Sequence, residues 1–95
     1  MLFSWDPRKE RANQAKHGVS FREAEAVFLD PHALLMDDPD HSRAEARFVL
    51  LGLSNQLRAL VVCHALPGEE DEIRLISCRR ATRSEHRVYL NRRIR

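Results

Sequence analysis

The sequence predicts one small α+β domain, in which an antiparallel sheet of four to five strands carries two N-terminal helices and one C-terminal helix. Four consecutive strand-like stretches joined by short connections occupy residues 32–79, and strands connected in this way pair antiparallel. Two helix-start signals precede these strands and one follows them. Ninety-five residues, 43% of them hydrophobic, suffice for one modest core, so we assign residues 1–95 to a single domain.

The first helix is predicted over residues 7–16. Asp6-Pro7 is a typical helix start, because Asp accepts hydrogen bonds from free backbone N–H groups and Pro fits the first turn. Gly18 is expected to end the helix, because glycine readily adopts the left-handed backbone of a C-terminal cap. Most of the helix is polar, and Ala12 and Ala15 form its predicted small face.

The second helix is predicted over residues 21–29. Ser20 and Glu23 have the spacing of a capping box, in which each side chain accepts a hydrogen bond from the backbone N–H of the other residue. The apolar face of this helix follows a helical period and consists of Phe21, Ala24, Val27 and Phe28.

The third helix is predicted over residues 82–92. It begins at a second capping box, formed by Thr82 and Glu85. Val88, Tyr89 and Leu90 are the apolar residues that it offers to the sheet.

Five strands are predicted, over residues 2–5, 32–37, 44–53, 57–66 and 73–79. Alternation of side chains places Glu45, Arg47 and Val49 on one face of the third of these strands. In the last strand, alternation groups Ile73, Leu75, Ser77 and Arg79 against Arg74, Ile76 and Cys78. Polar loops are predicted from Asp37 to His41 and from Pro67 to Glu72.

The net charge of +2 is unevenly distributed along the chain. Residues 79–95 carry seven arginines and one glutamate, a net charge of +6, whereas residues 1–78 carry a net charge of −4. A basic segment of this kind favours a polyanion or an acidic partner. A solvated arginine-rich helix would have the same composition, so composition leaves both interpretations open.

Membrane and secreted classes of protein are not expected. No apolar run approaches the ~20 residues that a membrane span needs, and no secretory signal is visible at the N-terminus. Cys63 and Cys78 are too few for a disulfide scaffold. Both lie in apolar strand-like runs, so buried thiols and a cytoplasmic location are expected.

An ordered set of residues covers nearly the whole chain. Its first part is Trp5-Asp6-Pro7, Asn13, Lys16-His17-Gly18-Val19-Ser20-Phe21, Glu23-Ala24, Val27-Phe28 and Asp30. Its middle part is Glu45-x-Arg47 ahead of a strand that ends at Gly52. Its last part is Arg74-x-Ile76-Ser77-x-Arg79-Arg80-Ala81, followed by Glu85 and Tyr89. With this spacing the set resembles the BrnT-type toxins; Cys78 departs from the resemblance, since a small Ala is usual there.

The resemblance implies a compact fold related to the RelE-like ribonuclease toxins. It implies the toxin of a type II toxin–antitoxin system in a bacterial cytoplasm, which cleaves RNA without a metal or other cofactor and inhibits translation. The implied partner is a BrnA-like antitoxin with a ribbon-helix-helix region. Toxin and antitoxin would form a heterotetramer, and the toxin would meet DNA only through the antitoxin.

Lys16 and His17 are candidates for the chemistry of a metal-free ribonuclease. Such an enzyme needs a base for the 2′-hydroxyl, cations around the phosphate and an acid for the 5′-oxygen. The unperturbed pKa of a histidine, about 6.5, suits proton transfer at neutral pH, and the end of a helix favours the protonated imidazole. Lys16 would clamp the phosphate. Either residue could instead be a solvated side chain in the last helical turn.

Glu45, Arg47 and Arg79 complete the predicted catalytic set. Glu45 and Arg47 share a strand face and are candidates for base and clamp, or for a cross-strand ion pair. Arg79 and Arg80 leave a strand just before a helix, where guanidinium groups can converge on a phosphate. Because successive strand residues point to opposite faces, we assign Arg79 alone to catalysis. Arg80 and Arg83 are assigned to RNA binding. A structural ion pair is the other interpretation of either arginine.

The remaining polar and aromatic residues carry weaker signals. His32, His41, His64 and His86 lack the spacing of a zinc site, and Asp37-Asp38-x-Asp40 is typical of a surface loop. Trp5 and Tyr89 are expected in the core rather than stacked on bases. The alternative function is a non-catalytic RNA- or protein-binding module, a structural partner of a DNA-binding repressor, which would bind without cleaving.

Overall fold

The computed structural model describes residues 1–38, 45–68 and 71–93. Its elements, in chain order, are β1 (Leu2–Ser4), α1 (Pro7–His17), α2 (Phe21–Val27), β2 (Leu34–Asp37), β3 (Ala46–Leu53), β4 (Ala59–Leu66), β5 (Glu72–Arg80) and α3 (Arg83–Arg93). The predicted order of helices and strands is confirmed. Parts of the two predicted polar loops, and the predicted start of the third strand at Ala44, lie outside the described residues.

The five strands form one sheet in the order β1-β5-β4-β3-β2. β2, β3, β4 and β5 pair antiparallel, but β1 runs parallel to β5, with Phe3 opposite Ile73. The prediction of a purely antiparallel sheet was therefore wrong. Hairpin connections force neighbouring strands to be antiparallel, whereas β1 reaches the sheet through two helices and is free to pair in the other direction.

Different helices cover the two faces of the sheet. α1 and α2 cover the helix-pair face, whose core cluster comprises Val19, Phe21, Ala24, Val27, Leu50, Leu60, Val62, Leu75 and Cys78. The opposite, α3 face has a smaller buried cluster of Leu51, Val61 and Tyr89. Trp5 packs edge-on against Phe21 at a centroid distance of 5.9 Å, as expected for a core residue.

A β-bulge in β5 decides which of its side chains reach each face. Ser77 pairs with Cys63, but the next pair is Leu75 with His64, so Ile76 is an extra residue. The predicted strict alternation was therefore wrong in this strand. Leu75 joins the helix-pair core, whereas Ser77 and Arg79 face the α3 side.

α1 is attached to the sheet by an amide rather than by an apolar face. Asn13 is buried, and its side chain donates to the carbonyls of Val19 (3.0 Å) and Cys78 (2.8 Å) and accepts from the Cys78 N–H (3.0 Å). Ala12 and Ala15, the predicted small face, are exposed. Asp6 and Gly18 cap this helix as predicted; Gly18 has φ of 68°.

The capping box of α2 is only half formed. The Glu23 N–H donates to the Ser20 hydroxyl at 3.1 Å, but the Glu23 carboxylate turns away to Ser54 and Arg58. Glu10 of α1 instead accepts from the Phe21 N–H at 3.0 Å. The α2 helix therefore receives its second cap from a neighbouring helix.

α3 reaches the sheet through one large side chain. Tyr89 is 1% exposed and its hydroxyl donates to Asp30 at 2.7 Å, whereas Val88 and Leu90 are exposed, contrary to the prediction. Its capping box is complete: the Thr82 N–H donates to Glu85 at 2.8 Å and the Glu85 N–H to the Thr82 hydroxyl at 3.2 Å. No helix in the described part of the chain is long and apolar enough to cross a membrane.

Candidate active site

An open cleft of about 340 Å³ lies on the α3 face. Its lining comes from every strand except β1, and from the first turn of α3: Met36, Asp37, Asp38, Val49, Val61, Cys63, Ser77, Arg79 and Glu85. Arg79 is the member of the predicted catalytic set that lines it. The bulge at Ile76 fixes this placement, because it sets which side chains of β5 face the cleft.

Arg79 is held in the cleft by Glu85. Its Nη1 and Nη2 donate to the two carboxylate oxygens of Glu85 at 2.8 and 2.9 Å, and Nη1 also donates to the Arg80 carbonyl at 3.3 Å. Neither side chain is buried: Arg79 is 40% and Glu85 33% exposed. These bonds leave the Nε–H and one Nη2–H of Arg79 without a hydrogen bond to any described residue. Such a side-on pair of donors can hold a phosphate by two hydrogen bonds.

The pairing also fixes the charge of Glu85. Hydrogen bonds from Arg79 above all, and from the Thr82 backbone, lower the pKa of Glu85 to about 2, although partial burial acts in the opposite direction. The carboxylate is thus ionised at neutral pH. It can orient Arg79, but it is a poor base for a 2′-hydroxyl.

Asp37 and Asp38 also line the cleft. Asp37 lies opposite Phe48, whose ring packs beside His64 toward the helix-pair face, so of the two carboxylates that of Asp38 is on the cleft side. The Asp38 N–H donates to the Arg47 carbonyl at 3.0 Å, which extends the pairing of β2 with β3 beyond Asp37. We had expected these aspartates in a surface loop, and Asp40 lies outside the described residues. The useful signal for Asp38 was its position two residues after Met36, on the side of β2 that faces the cleft.

The thiols differ from the prediction that both are buried. Cys78 is fully buried in the helix-pair core, where desolvation raises the pKa of its thiol to about 12. Cys63 is only partly buried and lines the cleft beside Ser77. On its α3 side the lining carries one arginine, Arg79, and the carboxylates of Asp38 and Glu85, so the cleft is negative overall.

Glu45 and Arg47 lie farther along the α3 face. Arg47 pairs with Ala65, and its side chain is on the same face as Val49, as alternation predicted. Glu45 forms an ion pair with Arg74, with an Nη1–Oε2 distance of 3.2 Å. Neither predicted residue lines the cleft, and the cross-strand ion-pair interpretation of Glu45 matches this contact.

The other predicted residues are on the opposite side or at the edge. Lys16 and His17 end α1, which packs on the helix-pair face through Asn13. Arg80 pairs with Leu60 and so shares that face, whereas Arg79 pairs with Val61 of the α3 face. Arg83 is exposed in the first turn of α3. The structure thus separates Lys16 and His17 from the Arg79 cleft.

A polar network that the sequence did not reveal lies on the helix-pair face. Glu23 is 3% exposed; it accepts from the Ser54 hydroxyl at 2.6 Å and from Arg58 Nε at 3.0 Å, and it forms a further short contact with Arg58 Nη2. These bonds, led by that from Arg58, lower the pKa of Glu23. The spacing of Glu23 from Ser20 favoured a cap and gave no sign of a partner 35 residues away.

No group of three or more His, Cys, Asp or Glu side chains among the described residues is arranged to hold a metal ion. The His64 ring is buried between Phe28 and Phe48, at centroid distances of 4.9 and 5.9 Å. It therefore belongs to the core of the domain.

A family model described as "Ribonuclease toxin, BrnT, of type II toxin-antitoxin system" matches residues 5–85. The chain belongs to the BrnT family. It is also similar to the BrnT ribonuclease toxin of Brucella abortus, known from a crystal structure at 1.1 Å resolution. That comparison has a TM-score of 0.67 and 27% sequence identity, and it covers 87% of this chain and 100% of the Brucella chain. A search of curated proteins gave no match.

Membership of the BrnT family confirms the resemblance that the ordered motifs predicted. The chain is thus related to the ribonuclease toxins of type II toxin–antitoxin systems, whose partner is an antitoxin. The matched residues 5–85 include the cleft and the Glu23 network. The roles of individual residues stay predictions, because a family match assigns no chemistry to any one side chain.

Proposed function

We propose that this chain is a metal-independent endoribonuclease of the bacterial cytoplasm that inhibits translation by cleaving RNA in the Arg79 cleft. The observation that carries the proposal is the guanidinium group of Arg79, which is fixed in the cleft by Glu85 but is only partly paired. Glu85 holds the guanidinium group at two nitrogens, and the remaining side-on donors are available to the cleft. A cation fixed before substrate arrives needs little reorganisation when charge develops on the phosphate.

The reaction is an attack of the ribose 2′-oxygen on the adjacent phosphorus. The bond from phosphorus to the 5′-oxygen breaks, and the leaving oxygen takes a proton from solvent water. The products are a 2′,3′-cyclic phosphate and a new 5′-hydroxyl. Arg79 stabilises the added charge on the non-bridging oxygens. We assign Asp38 as the base that takes the 2′-hydroxyl proton, because it is half-buried in the cleft and its backbone is fixed to β3.

The other predicted residues are assigned by their location. Arg47 lies on the α3 face next to the cleft and would contact the RNA backbone there. Arg83, at the start of α3, would hold RNA outside the cleft. Lys16 and His17 would contact the substrate only from the helix-pair face. Because Glu45 is paired with Arg74, we assign it to positioning the Arg74 side chain and not to the role of a base.

The proposed partner is a BrnA-like ribbon-helix-helix antitoxin. Ribbon-helix-helix regions dimerise, so two toxins and two antitoxins would form the heterotetramer, and contact with DNA would be made by the antitoxin. A negative cleft beneath a basic α3 presents both signs of charge to such a partner. The antitoxin would neutralise the toxin by covering this surface.

The test is cleavage of a structured RNA by the purified protein in EDTA. The wild type should leave 2′,3′-cyclic phosphate ends, and Arg79→Ala should cleave on the order of 10²-fold more slowly. Arg8→Ala is the matched control, since Arg8 is 84% exposed and also pairs with a carboxylate. Absence of cleavage by the wild type, on free RNA and on translating ribosomes alike, would refute the proposal.

The negative charge of the cleft favours one second candidate, a non-catalytic module that binds a basic protein segment there. Such a module would bind the antitoxin without cutting RNA under any condition. The same cleavage experiment separates the two functions.

A further inference from the structure

We propose that Arg58 and Arg80 form a phosphate-binding site for single-stranded RNA on the helix-pair face, with buried Glu23 as the positioning residue of Arg58. The inference rests on the proposed function, because the bound phosphate belongs to the RNA substrate. It adds a second phosphate contact, outside the cleft, at a place where positive charge is in excess.

Strand pairing brings the two arginines together. Arg80 lies opposite Leu60, and Arg58 lies two residues before Leu60, so both side chains leave the sheet on the helix-pair side. The Ala81 N–H donates to the Ala59 carbonyl at 2.8 Å, which continues the pairing of β5 with β4 up to this point. Residues related diagonally across two strands are within reach of long side chains.

Glu23 holds one edge of the Arg58 guanidinium group. Its carboxylate accepts a hydrogen bond from Arg58 Nε at 3.0 Å and contacts Nη2. The Ser54 hydroxyl donates to Oε2 of the same carboxylate at 2.6 Å. The Arg58 side chain is still 26% exposed, and its Nη1 makes no hydrogen bond with any described residue. The end of the guanidinium fork is thus fixed in direction and open to a ligand.

Arg80 supplies the second cation. It is exposed, and its side chain makes no hydrogen bond with a described residue. Two guanidinium groups beside one buried carboxylate give this site a positive excess, the opposite of the cleft. Arginine forks of this kind match the geometry of a phosphate oxygen pair better than that of a single carbonyl.

The position of the site relative to the cleft favours RNA over an acidic protein. Arg79 and Arg80 are consecutive residues on opposite faces of the sheet, at the end of β5. A nucleic-acid strand that crosses this end of the sheet can place one phosphate at Arg79 and a neighbouring phosphate at Arg80 and Arg58. An acidic protein segment has no such regular spacing of charges.

The test uses a 2′-O-methyl RNA oligonucleotide, which cannot be cleaved by attack of a 2′-hydroxyl, and measures its binding to the full chain at several salt concentrations. We expect about 5- to 20-fold weaker binding by Arg80→Ala, with a slope of log K against log salt that is smaller by about 0.7. Arg58→Lys keeps the charge but loses the fork, and should also weaken binding. Arg8→Ala is the control for a lost surface arginine.

Each outcome decides the question. Thermal unfolding checks that Arg58→Lys remains folded, and Arg80→Ala removes only an exposed side chain. Unchanged affinity and slope in Arg80→Ala would overturn the site, and retained RNA binding with loss of antitoxin binding would reassign it to an acidic protein. If the wild type binds the oligonucleotide with the expected salt dependence but never cleaves unmodified RNA, the phosphate site stands and the nuclease proposal fails.

Discussion

Glu85 joins two structures that are separate in the sequence: its carboxylate caps the first turn of α3 and grips Arg79 at the end of β5. A single carboxylate therefore both caps the helix and orients Arg79. Because each contact lowers the pKa of Glu85, the group stays ionised throughout the neutral range. The start of α3 is thus fixed relative to the cleft.

Replacing Glu85 by Gln should impair catalysis more than folding. Gln can still serve in a capping box, but it lacks the charge that orients Arg79. We expect kcat/KM for RNA to fall about 10-fold, while the free energy of unfolding falls by less than about 1 kcal/mol, since the pair is partly exposed. Glu25→Gln is the charge-matched control on α2. Equal losses of activity in the two variants would contradict the assigned role of Glu85.

Acid should remove the contribution of Glu85 to stability. Its pKa is lowered from 4.5 to about 2, so the unfolded chain binds the proton first. The stabilisation is therefore complete above pH 4.5 and is lost as pH falls toward 2. The difference in free energy of unfolding between wild type and Glu85→Gln, measured by chemical denaturation from pH 7 to 3, should shrink. A constant difference would refute this linkage.

His64 should make the fold sensitive to mild acid in a different pH range. Burial lowers the pKa of its imidazole below 6.5, so the folded chain holds the neutral form where the unfolded chain is already protonated. Stability should be full above pH 6.5 and decrease as pH falls below it, by up to about 1.4 kcal/mol per pH unit until the folded pKa is reached. His64→Phe should abolish this decrease, whereas the exposed control His86→Gln should retain it.

Local signals explain how much of the fold the sequence could predict. The helix starts at Asp6 and Thr82 and the stop at Gly18 depend on neighbouring residues, and all three occur where predicted. The parallel pairing of β1 and the bulge at Ile76 depend on partners about 70 and 10 residues away, respectively, and no local pattern encodes them.

The same distinction applies to the site. Alternation correctly separated Arg79 from Arg80, because it is a property of a single strand. It could not show that Lys16 and His17 lie on the other side of the sheet from Arg79, since that depends on which face α1 packs against. The Glu23–Arg58 pair was missed for a similar reason: its residues are distant in sequence and each has an ordinary local interpretation.

Asn13 should be among the most costly residues to truncate. Its amide satisfies the Cys78 N–H and two buried carbonyl groups, and α1 has no apolar face to replace it. Asn13→Ala leaves these backbone groups without partners, and we expect a loss of about 2–4 kcal/mol in the free energy of unfolding. Denaturant titration checks this value. Asn55→Ala, in an exposed turn, is the control, and a similar loss in both variants would contradict the role of Asn13.

The two aspartates of the cleft should differ in their effect on catalysis. Both backbones are bonded to β3, but Asp38 is half-buried on the cleft side, whereas Asp37 is exposed and lies opposite Phe48 of the helix-pair side. Asp38 is therefore the better placed of the two for proton transfer. We expect Asp38→Asn to lower the rate of RNA cleavage about 10²-fold, and Asp37→Asn to lower it only a few-fold. The two substitutions are chemically identical, and each removes one negative charge at the end of β2. A larger effect in Asp37→Asn would move the role of base to that residue, and equal, small effects would show that neither carboxylate takes the proton.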